Sequence, residues 1–272
     1  MPWRQGRKWE RMIYILVLSI CFGASIIGAI CGIGGGVIIK PVLDAFGIMS
    51  VSAISFLSGC TVLSMTSYSV LKSKMSGASR IDQKIGFPLA IGAAVGGIIG
   101  KNLFQIVKGM SSDPNRVGAV QAACLMIVTL GTLIYTIKKN SVKTYQLKNA
   151  LVCVCIGLVL GIMSSFLGIG GGPINLVVLF FFFSMDTKTA AENSLYIIFF
   201  SQLASFIMSL VTRTVPDVPL AMLIFMVSGG LAGGAVGRKV NKKIDEKTVD
   251  KLFIGLMAVI ILINVYNIYK FM

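Results

Sequence analysis

The sequence predicts an all-α polytopic membrane protein with about eight transmembrane helices in two four-span repeats, each with a glycine-broken helix and a half-helix. Three observations predict this class. Hydrophobic residues make up 56% of the 272 residues and charged residues only 13%, whereas about a quarter of the residues in a typical globular domain are charged. The mean hydropathy is +0.87. Finally, Gly-Ile-Gly-Gly-Gly at 32–36 recurs at 168–172, displaced by half the chain length.

A second match supports an internal duplication. The segment GGIIGK at 96–101 corresponds to GGAVGR at 233–238, at nearly the same displacement. Duplicated halves in a very apolar chain are typical of secondary transporters, whose sites lie where the halves meet. We therefore expect a single membrane domain over residues 1–272, with internal repeats at 12–138 and 149–271.

Eight apolar segments are long enough to cross a bilayer, which requires roughly 20 residues. The first has a basic flank from Arg4 to Arg11 and resembles a signal peptide, but it runs directly into the first glycine motif. An uncleaved span is therefore expected. The predicted spans are 12–31, 49–71, 85–101, 117–137, 149–167, 188–211, 217–237 and 251–270.

Two shorter apolar segments, Val37–Ile48 and Pro173–Ser184, follow the glycine motifs. A helix of about 12 residues is about 18 Å long, which is too short to cross a bilayer. Pro173 suits the first position of a helix, where its missing N–H is not needed. Each motif therefore predicts a break followed by a half-helix that begins at membrane depth.

The orientation depends on whether the half-helices reverse the chain. If they do not, the basic clusters at 4–11, 72–84 and 138–148 share one side, and the positive-inside rule places both termini in the cytoplasm. The repeats would be parallel with four spans each and inverted with five. The sequence leaves both arrangements open.

Composition argues against several other classes of protein. The net charge is +15, but the basic residues form short clusters between apolar segments, which favours contact with anionic lipid over nucleic acid. The six cysteines form no CxxC pair and histidine is absent, so neither a metal site nor a cofactor is expected. The expected partners are the lipid bilayer and a small anionic substrate, and the oligomeric state is open.

The glycine motifs carry the predicted chemistry. A helix break inside a membrane leaves backbone N–H groups that must line a protein-enclosed cavity. Glycines let several N–H groups converge on one ligand, and the following half-helix adds roughly half a positive charge. Two such ends predict a site for a small oxyanion. Helix packing is the alternative, and we favour it for the glycines spaced by four at 92–100 and 229–237.

The predicted substrate-binding residues are the motif glycines and four polar residues that follow them. Lys40 lies in the first turn of a half-helix, where pairing with Asp44 is an equally good interpretation. Asn193 and Ser194 stand near the place of Ser55 and Phe56 in the first half, and interhelical hydrogen bonding is their alternative role. The full set is Gly32, Gly34, Gly35, Gly36, Lys40, Gly168, Gly170, Gly171, Gly172, Asn175, Asn193 and Ser194. No catalytic residue or metal ligand is predicted.

These motifs resemble the sulfite exporter TauE/SafE family, also called the 4-toluene sulfonate uptake permeases. The resemblance rests on the paired GIGGG motifs and on a glycine-rich third span in each half that ends in a basic residue, Lys101 or Arg238. It covers nearly the whole chain. It implies a multi-pass permease of the inner or plasma membrane for sulfite or an organosulfonate. Ser55-Phe56 departs from Asn193-Ser194, which argues against a symmetric polar shell.

The sequence predicts a small-oxyanion site between two repeats, and the resemblance implies that the anion is sulfite or an organosulfonate, with export expected. Transport of another small anion is the nearest alternative. An intramembrane enzyme fits less well, because a chain without histidine and with few buried carboxylates offers few general bases. A cation carrier would need paired intramembrane carboxylates, and Asp44 with Glu192 is weak support for that.

Overall fold

The computed structural model describes residues 7–77, 79–110 and 114–271, which form α-helices and no strand. In chain order the helices are α1 (Arg7–Cys31), α2 (Gly36–Phe46), α3 (Val51–Met75), α4 (Gln83–Met110), α5 (Pro114–Lys138), α6 (Ala150–Leu167), α7 (Pro173–Phe183), α8 (Thr187–Val211), α9 (Leu220–Lys243) and α10 (Glu246–Phe271), with a 3₁₀ turn at Lys139–Ser141.

Within these residues, eight helices are long and apolar enough to cross a membrane, which confirms the predicted number of spans. Helices α2 and α7 are the two half-helices, with 11 residues each. The predicted third span ended at Lys101, but α4 continues to Met110. The prediction ended too early because it treated Lys101 as a boundary, whereas this lysine is buried inside the helix bundle.

Each half-helix reverses the direction of the chain. Gly35 lies against Ser25 of α1, and further along α2 Leu43 packs in a cluster with Val17 of α1. Helix α2 therefore runs back beside α1 towards the end where α1 began. Helix α7 likewise returns to the end where α6 began, because the segment before α6 donates backbone hydrogen bonds from Tyr145 and Leu147 to the last turn of α7.

The reversals place the connecting segments at two ends of the bundle. At one, Lys139 pairs with Asp250 at 2.5 Å and Arg80 with Asp186 at 3.7 Å, which brings together the segments around 76–82, 139–149, 184–187 and 244–250. We call this the basic end. At the other, Phe271 lies against Gly118, Lys270 against Gly47 and Lys108 against Ser52. We call this the terminal end, because α1 starts and α10 stops there.

This arrangement corrects the side assignment made from the sequence. The basic clusters at 72–84, 138–148 and 238–251 share one end, and the start of α1 and the end of α10 lie at the other. The error came from counting α2 and α7 as segments that do not reverse the chain. With the corrected count, the positive-inside rule predicts that the basic end faces the cytoplasm and both termini lie outside. The two halves run in opposite directions.

The helix pairings of one half have counterparts in the other. Helix α1 packs on α9 as α6 packs on α4, α3 packs on α9 as α8 packs on α4, and α3 and α8 cross each other in the centre. The glycines spaced by four belong to these contacts: Gly92, Gly96 and Gly100 lie against the backbone of α6, and Gly229, Gly233 and Gly237 against α1. Their packing role is confirmed. In each half the glycine-rich helix, α4 or α9, packs on the first helix of the other half. This matching supports the predicted repeats, which stay a prediction.

The orientation can be measured with reporter fusions. We expect alkaline phosphatase to be active, and green fluorescent protein dark, when either is fused after Phe271. The same reporters fused after Tyr145, in the segment between α5 and α6, should give the reverse result. Fluorescence from the Phe271 fusion would contradict the assignment of the basic end to the cytoplasm.

Candidate functional site

The two glycine motifs touch each other in the middle of the bundle. A Cβ atom on Gly36 would overlap the carbonyl oxygen of Ile169, and one on Gly34 would lie 3.3 Å from the carbonyl oxygen of Gly170. Helices α2 and α7 both begin at this contact and run from it towards opposite ends. The motifs therefore bring two helix N-termini together, where the positive ends of the helix dipoles add.

The backbone at this contact requires glycine. Gly34 and Gly170 have φ of 76° and 71°, and Gly32 and Gly168 have φ of 75° and 65°. These left-handed conformations are readily adopted only by glycine. Added side chains would also meet Val62 at Gly170 and Ile198 at Gly171. Conformation and close packing together explain why the sequence has four glycines in five positions.

The bends leave backbone donors free. Within the part of the chain that the structure describes, no acceptor is found for several motif N–H groups, among them those of Gly34, Gly35, Gly36, Gly170, Gly171 and Gly172. Unpaired N–H groups are costly away from water, and a cluster of them next to a helix N-terminus is suited to an anion.

Serine hydroxyls surround the motifs. The Oγ atoms of Ser25, Ser55 and Ser58 are buried and have no hydrogen-bond partner among the described residues. A Cβ atom added to Gly35 would lie 2.9 Å from the Oγ atom of Ser25, and one added to Gly36 would lie 2.9 Å from the Oγ atom of Ser58. These hydroxyls can therefore add donors to the backbone N–H groups.

The contacts also correct the register that the sequence suggested between α3 and α8. Gly168 packs on Ser55, and its counterpart Gly32 packs on Ala191. Ser55 therefore corresponds to Ala191, and Ser194 corresponds to Ser58. Each half thus has a buried serine at the position of Ser58 and Ser194. The sequence alone had suggested that Ser55-Phe56 lies near the place of Asn193-Ser194. The error was a slip of a few residues in a segment without a distinctive motif.

A polar cavity, which we call the Lys101 cavity, lies beside Gly168 towards the terminal end. It has about 30 Å³ open to the centre of a water molecule, room for roughly two waters. Its lining consists mainly of small and polar side chains: Ser55, Phe56, Gly59, Cys60, Lys101, Phe104, Ser165, Gly168, Gln202, Ser205, Phe206 and Ser209. No carboxylate is among them.

Lys101 is the cation of this cavity. It is 8% exposed, and within the described ranges it makes no ion pair and no hydrogen bond. Its Nζ lies 5.7 Å from the centre of the Phe104 ring. A buried lysine without a counter-ion in a transmembrane helix indicates a functional site. Lys101 was not among the site residues predicted from the sequence, although its match with Arg238 at the repeat displacement was a usable signal.

Lys40 occupies a different environment from the one predicted. Its Nζ lies 2.6 Å from Asp44 Oδ2, and both side chains are almost fully buried. Nearby, Asn267 and Lys270 of α10 donate to the carbonyl oxygens of Pro41 and Asp44. Lys40 does not line the Lys101 cavity, so the geometry favours the structural ion pair over an anion contact.

The remaining predicted residues are buried and only partly bonded. Asn193 donates from Nδ2 to the carbonyl oxygens of Arg80, in the segment before α4, and of Thr189, one turn earlier in α8, so neither bond joins two helices. The Oδ1 atoms of Asn193 and Asn175 and the Oγ atom of Ser194 have no partner among the described residues. None of the three lines the Lys101 cavity, so substrate contact by these residues stays a prediction.

Comparisons with known proteins agree with this architecture. The sequence matches the family described as sulfite exporter TauE/SafE over residues 17–263. It is 24% identical to the probable membrane transporter protein YunE of Bacillus subtilis strain 168, in an alignment covering 71% of this chain and 76% of that protein. No solved structure matches significantly. The chain belongs to the sulfite exporter TauE/SafE family and is a multi-pass membrane transporter rather than an enzyme.

The motif contact predicts the effect of bulk at its centre. We expect Gly34→Leu and Gly170→Leu to abolish transport without preventing membrane insertion, because the side chain would fill the space between the motifs. Gly131→Leu on α5, where a Cβ meets nothing within 4 Å, is the matched control. Flux assays on equal amounts of folded protein test this, and wild-type flux in both motif variants would show that the glycines serve packing alone.

The Lys40–Asp44 pair predicts a stability effect. Lys40→Met should lower the free energy of unfolding by roughly 3–5 kcal/mol, because it leaves Asp44 buried and unpaired. Adding Asp44→Asn should recover much of that loss. Thermal unfolding in detergent measures both variants. A folded, stable Lys40→Met protein with weakened anion affinity would instead assign Lys40 to the substrate site.

Proposed function

We propose that this member of the TauE/SafE family exports a small sulfur-containing oxyanion, sulfite or an organosulfonate, past the contact between the two glycine motifs. The observation that carries the proposal is Lys101, a buried lysine without a counter-ion among the described residues, in a polar cavity beside Gly168. An unpaired ammonium in such a place is costly unless an anion visits it.

The donors around the motifs suit an oxyanion. Three oxygen atoms on one central atom can accept hydrogen bonds from backbone N–H groups and serine hydroxyls at the same time. The two helix N-termini supply positive potential, and Lys101 supplies a full charge. A cation would find no carboxylate in the lining of the Lys101 cavity. The charge of the site therefore favours anions as a class.

The narrowness of the cavity has a mechanistic consequence. About 30 Å³ of water-accessible space does not hold a sulfur oxyanion. Transport therefore requires the helices around the cavity to separate. The contact between the motifs would act as the barrier that keeps the two ends from being connected at once.

Electrostatics favour the outward direction. A negative cytoplasm drives an anion outward by about 2.3 kcal/mol per charge per 100 mV. Export therefore needs no dedicated proton carrier. Glu192, the carboxylate considered for that role, accepts hydrogen bonds from Ser73 and from the backbone N–H of Arg80, at 2.8 and 3.1 Å.

Flux in liposomes tests the proposal. Labelled sulfite, sulfoacetate, taurine and sulfate are compared in wild type, Lys101→Met and Lys108→Met. We expect Lys101→Met to weaken anion affinity by roughly 1.5–3 kcal/mol, or about 10–150-fold. Lys108→Met is the control, because Lys108 is exposed at the terminal end and bonds to Ser52.

Two results would contradict the proposal. If the wild-type protein moves none of the four compounds, the substrate class is wrong. If Lys101→Met carries sulfite with wild-type affinity, Lys101 is not an anion contact. A preference for one compound in both wild type and Lys108→Met, lost in Lys101→Met, would identify the substrate.

A further inference from the structure

A second polar cavity, at the basic end, repeats the Lys101 cavity. It is lined by Ala29, Ser69, Ala191, Glu192, Leu195, Arg238, Asn241 and Lys242. We call it the Arg238 cavity. At the repeat displacement, Arg238 corresponds to Lys101, Ser69 to Ser205, Ala191 to Ser55 and Leu195 to Gly59, and these four counterparts all line the Lys101 cavity.

We propose that the Arg238 cavity is a second anion-binding vestibule, and that Lys101 and Arg238 receive the same anion from opposite ends of the protein. This inference rests on the proposed function, because it assigns a second contact to the same transported anion. It also specifies the path: the anion moves between two cationic vestibules separated by the glycine contact.

Arg238 has unused capacity to bind an anion. Its Nη1 donates to the carbonyl oxygen of Ser69 at 2.8 Å, which fixes the guanidinium in place. Its Nη2 is buried and has no partner among the described residues. Ser69 is 2% exposed, and its Oγ likewise has no partner there. A guanidinium nitrogen and a hydroxyl are thus available together, and guanidinium groups bind oxyanions well.

The glycine motifs connect the two cavities. Gly168 lines the Lys101 cavity, while Gly32 packs on Ala191, which lines the Arg238 cavity. The motifs touch between them at Gly34 and Gly170. Both cavities are narrow, with about 30 and 20 Å³ open to the centre of a water molecule. In oppositely directed halves, a movement that opens one cavity has an equivalent that opens the other.

The two vestibules differ in their other charged residues. Glu192 and Lys242 both line the Arg238 cavity, whereas Lys101 is the one charged residue among the described residues that line the Lys101 cavity. The counterpart of Glu192 in the Lys101 cavity is Phe56. The charges of Glu192 and Lys242 offset each other, so Arg238 and Lys101 give both vestibules a positive potential.

Thiol labelling tests the vestibules without relying on transport. In a full-length protein whose six native cysteines are replaced by serine, Ser69→Cys and Ser205→Cys put one thiol in each cavity. Oriented vesicles are treated from either side with an anionic sulfonatoethyl or a cationic trimethylammonium-ethyl methanethiosulfonate. We expect Ser205→Cys to react from the terminal end and Ser69→Cys from the basic end.

Charge variants supply the decisive comparison. Arg238→Gln should slow the anionic reagent at Ser69→Cys by roughly tenfold relative to the cationic one, because a nearby positive charge is lost, and should leave Ser205→Cys unchanged. Lys101→Gln should do the converse. Arg238→Lys, which keeps the charge, should restore the anionic preference at Ser69→Cys and so exclude a folding defect.

The possible outcomes separate this inference from the proposed function. If both thiols react from the same side, or the anionic preference at Ser69→Cys does not depend on Arg238, the second vestibule is wrong. If labelling follows the expected pattern but no sulfur oxyanion is carried, the vestibules stand and the proposed substrate is wrong. If flux depends on Lys101 and Ser69→Cys shows no charge preference, the proposed function stands without the second vestibule.

Discussion

The structure depends on the direct contact of two glycine-rich backbone segments in the centre of an apolar bundle. Lipid offers no partners for backbone N–H groups, so a helix can break at this depth only where protein encloses the break. Here each break encloses the other, and the central helices α3 and α8 cover both at Val62 and Ile198. The arrangement of the other helices follows from keeping these segments buried and together.

The same contact explains why the protein has two ends of similar construction. Each motif reverses the chain, so α3 follows the direction of α1 and the second half begins in the direction opposite to the first. The halves then pack with their glycine-rich helices α4 and α9 against the first helix of the other half. That exchange places Lys101 near one end and Arg238 near the other. The cavities at both places are polar, with Ser55 and Ser205 in the lining beside Lys101, and Ser69 and Asn241 in the lining beside Arg238.

The sequence predicted the features that depend on composition and on exact repetition. The spans, the half-helices and the break at each GIGGG motif could be predicted directly, because long apolar segments and four glycines in five positions are compatible with few structures. The direction of α2 could not, since reversal depends on contacts such as Gly35 with Ser25. Lys101 was not predicted as a site residue because what distinguishes it is burial without a counter-ion among the described residues. Only the packed structure shows which lysines have a counter-ion. The correspondence of Ser58 with Ser194 was also not predicted, because the sequences of α3 and α8 contain no common motif that would align them.

The hydrogen bonds from α10 to the last turns of α2 have a consequence for the order in which the protein is assembled during synthesis. The last carbonyl groups of this half-helix accept hydrogen bonds from Lys270, and Pro41 accepts one from Asn267, both in α10. These donors leave the ribosome more than two hundred residues after α2 itself. Until α10 is synthesised, the carbonyl groups of Pro41, Asp44 and Ala45 lack these donors. The first glycine break to be synthesised is therefore among the last to gain its full set of contacts.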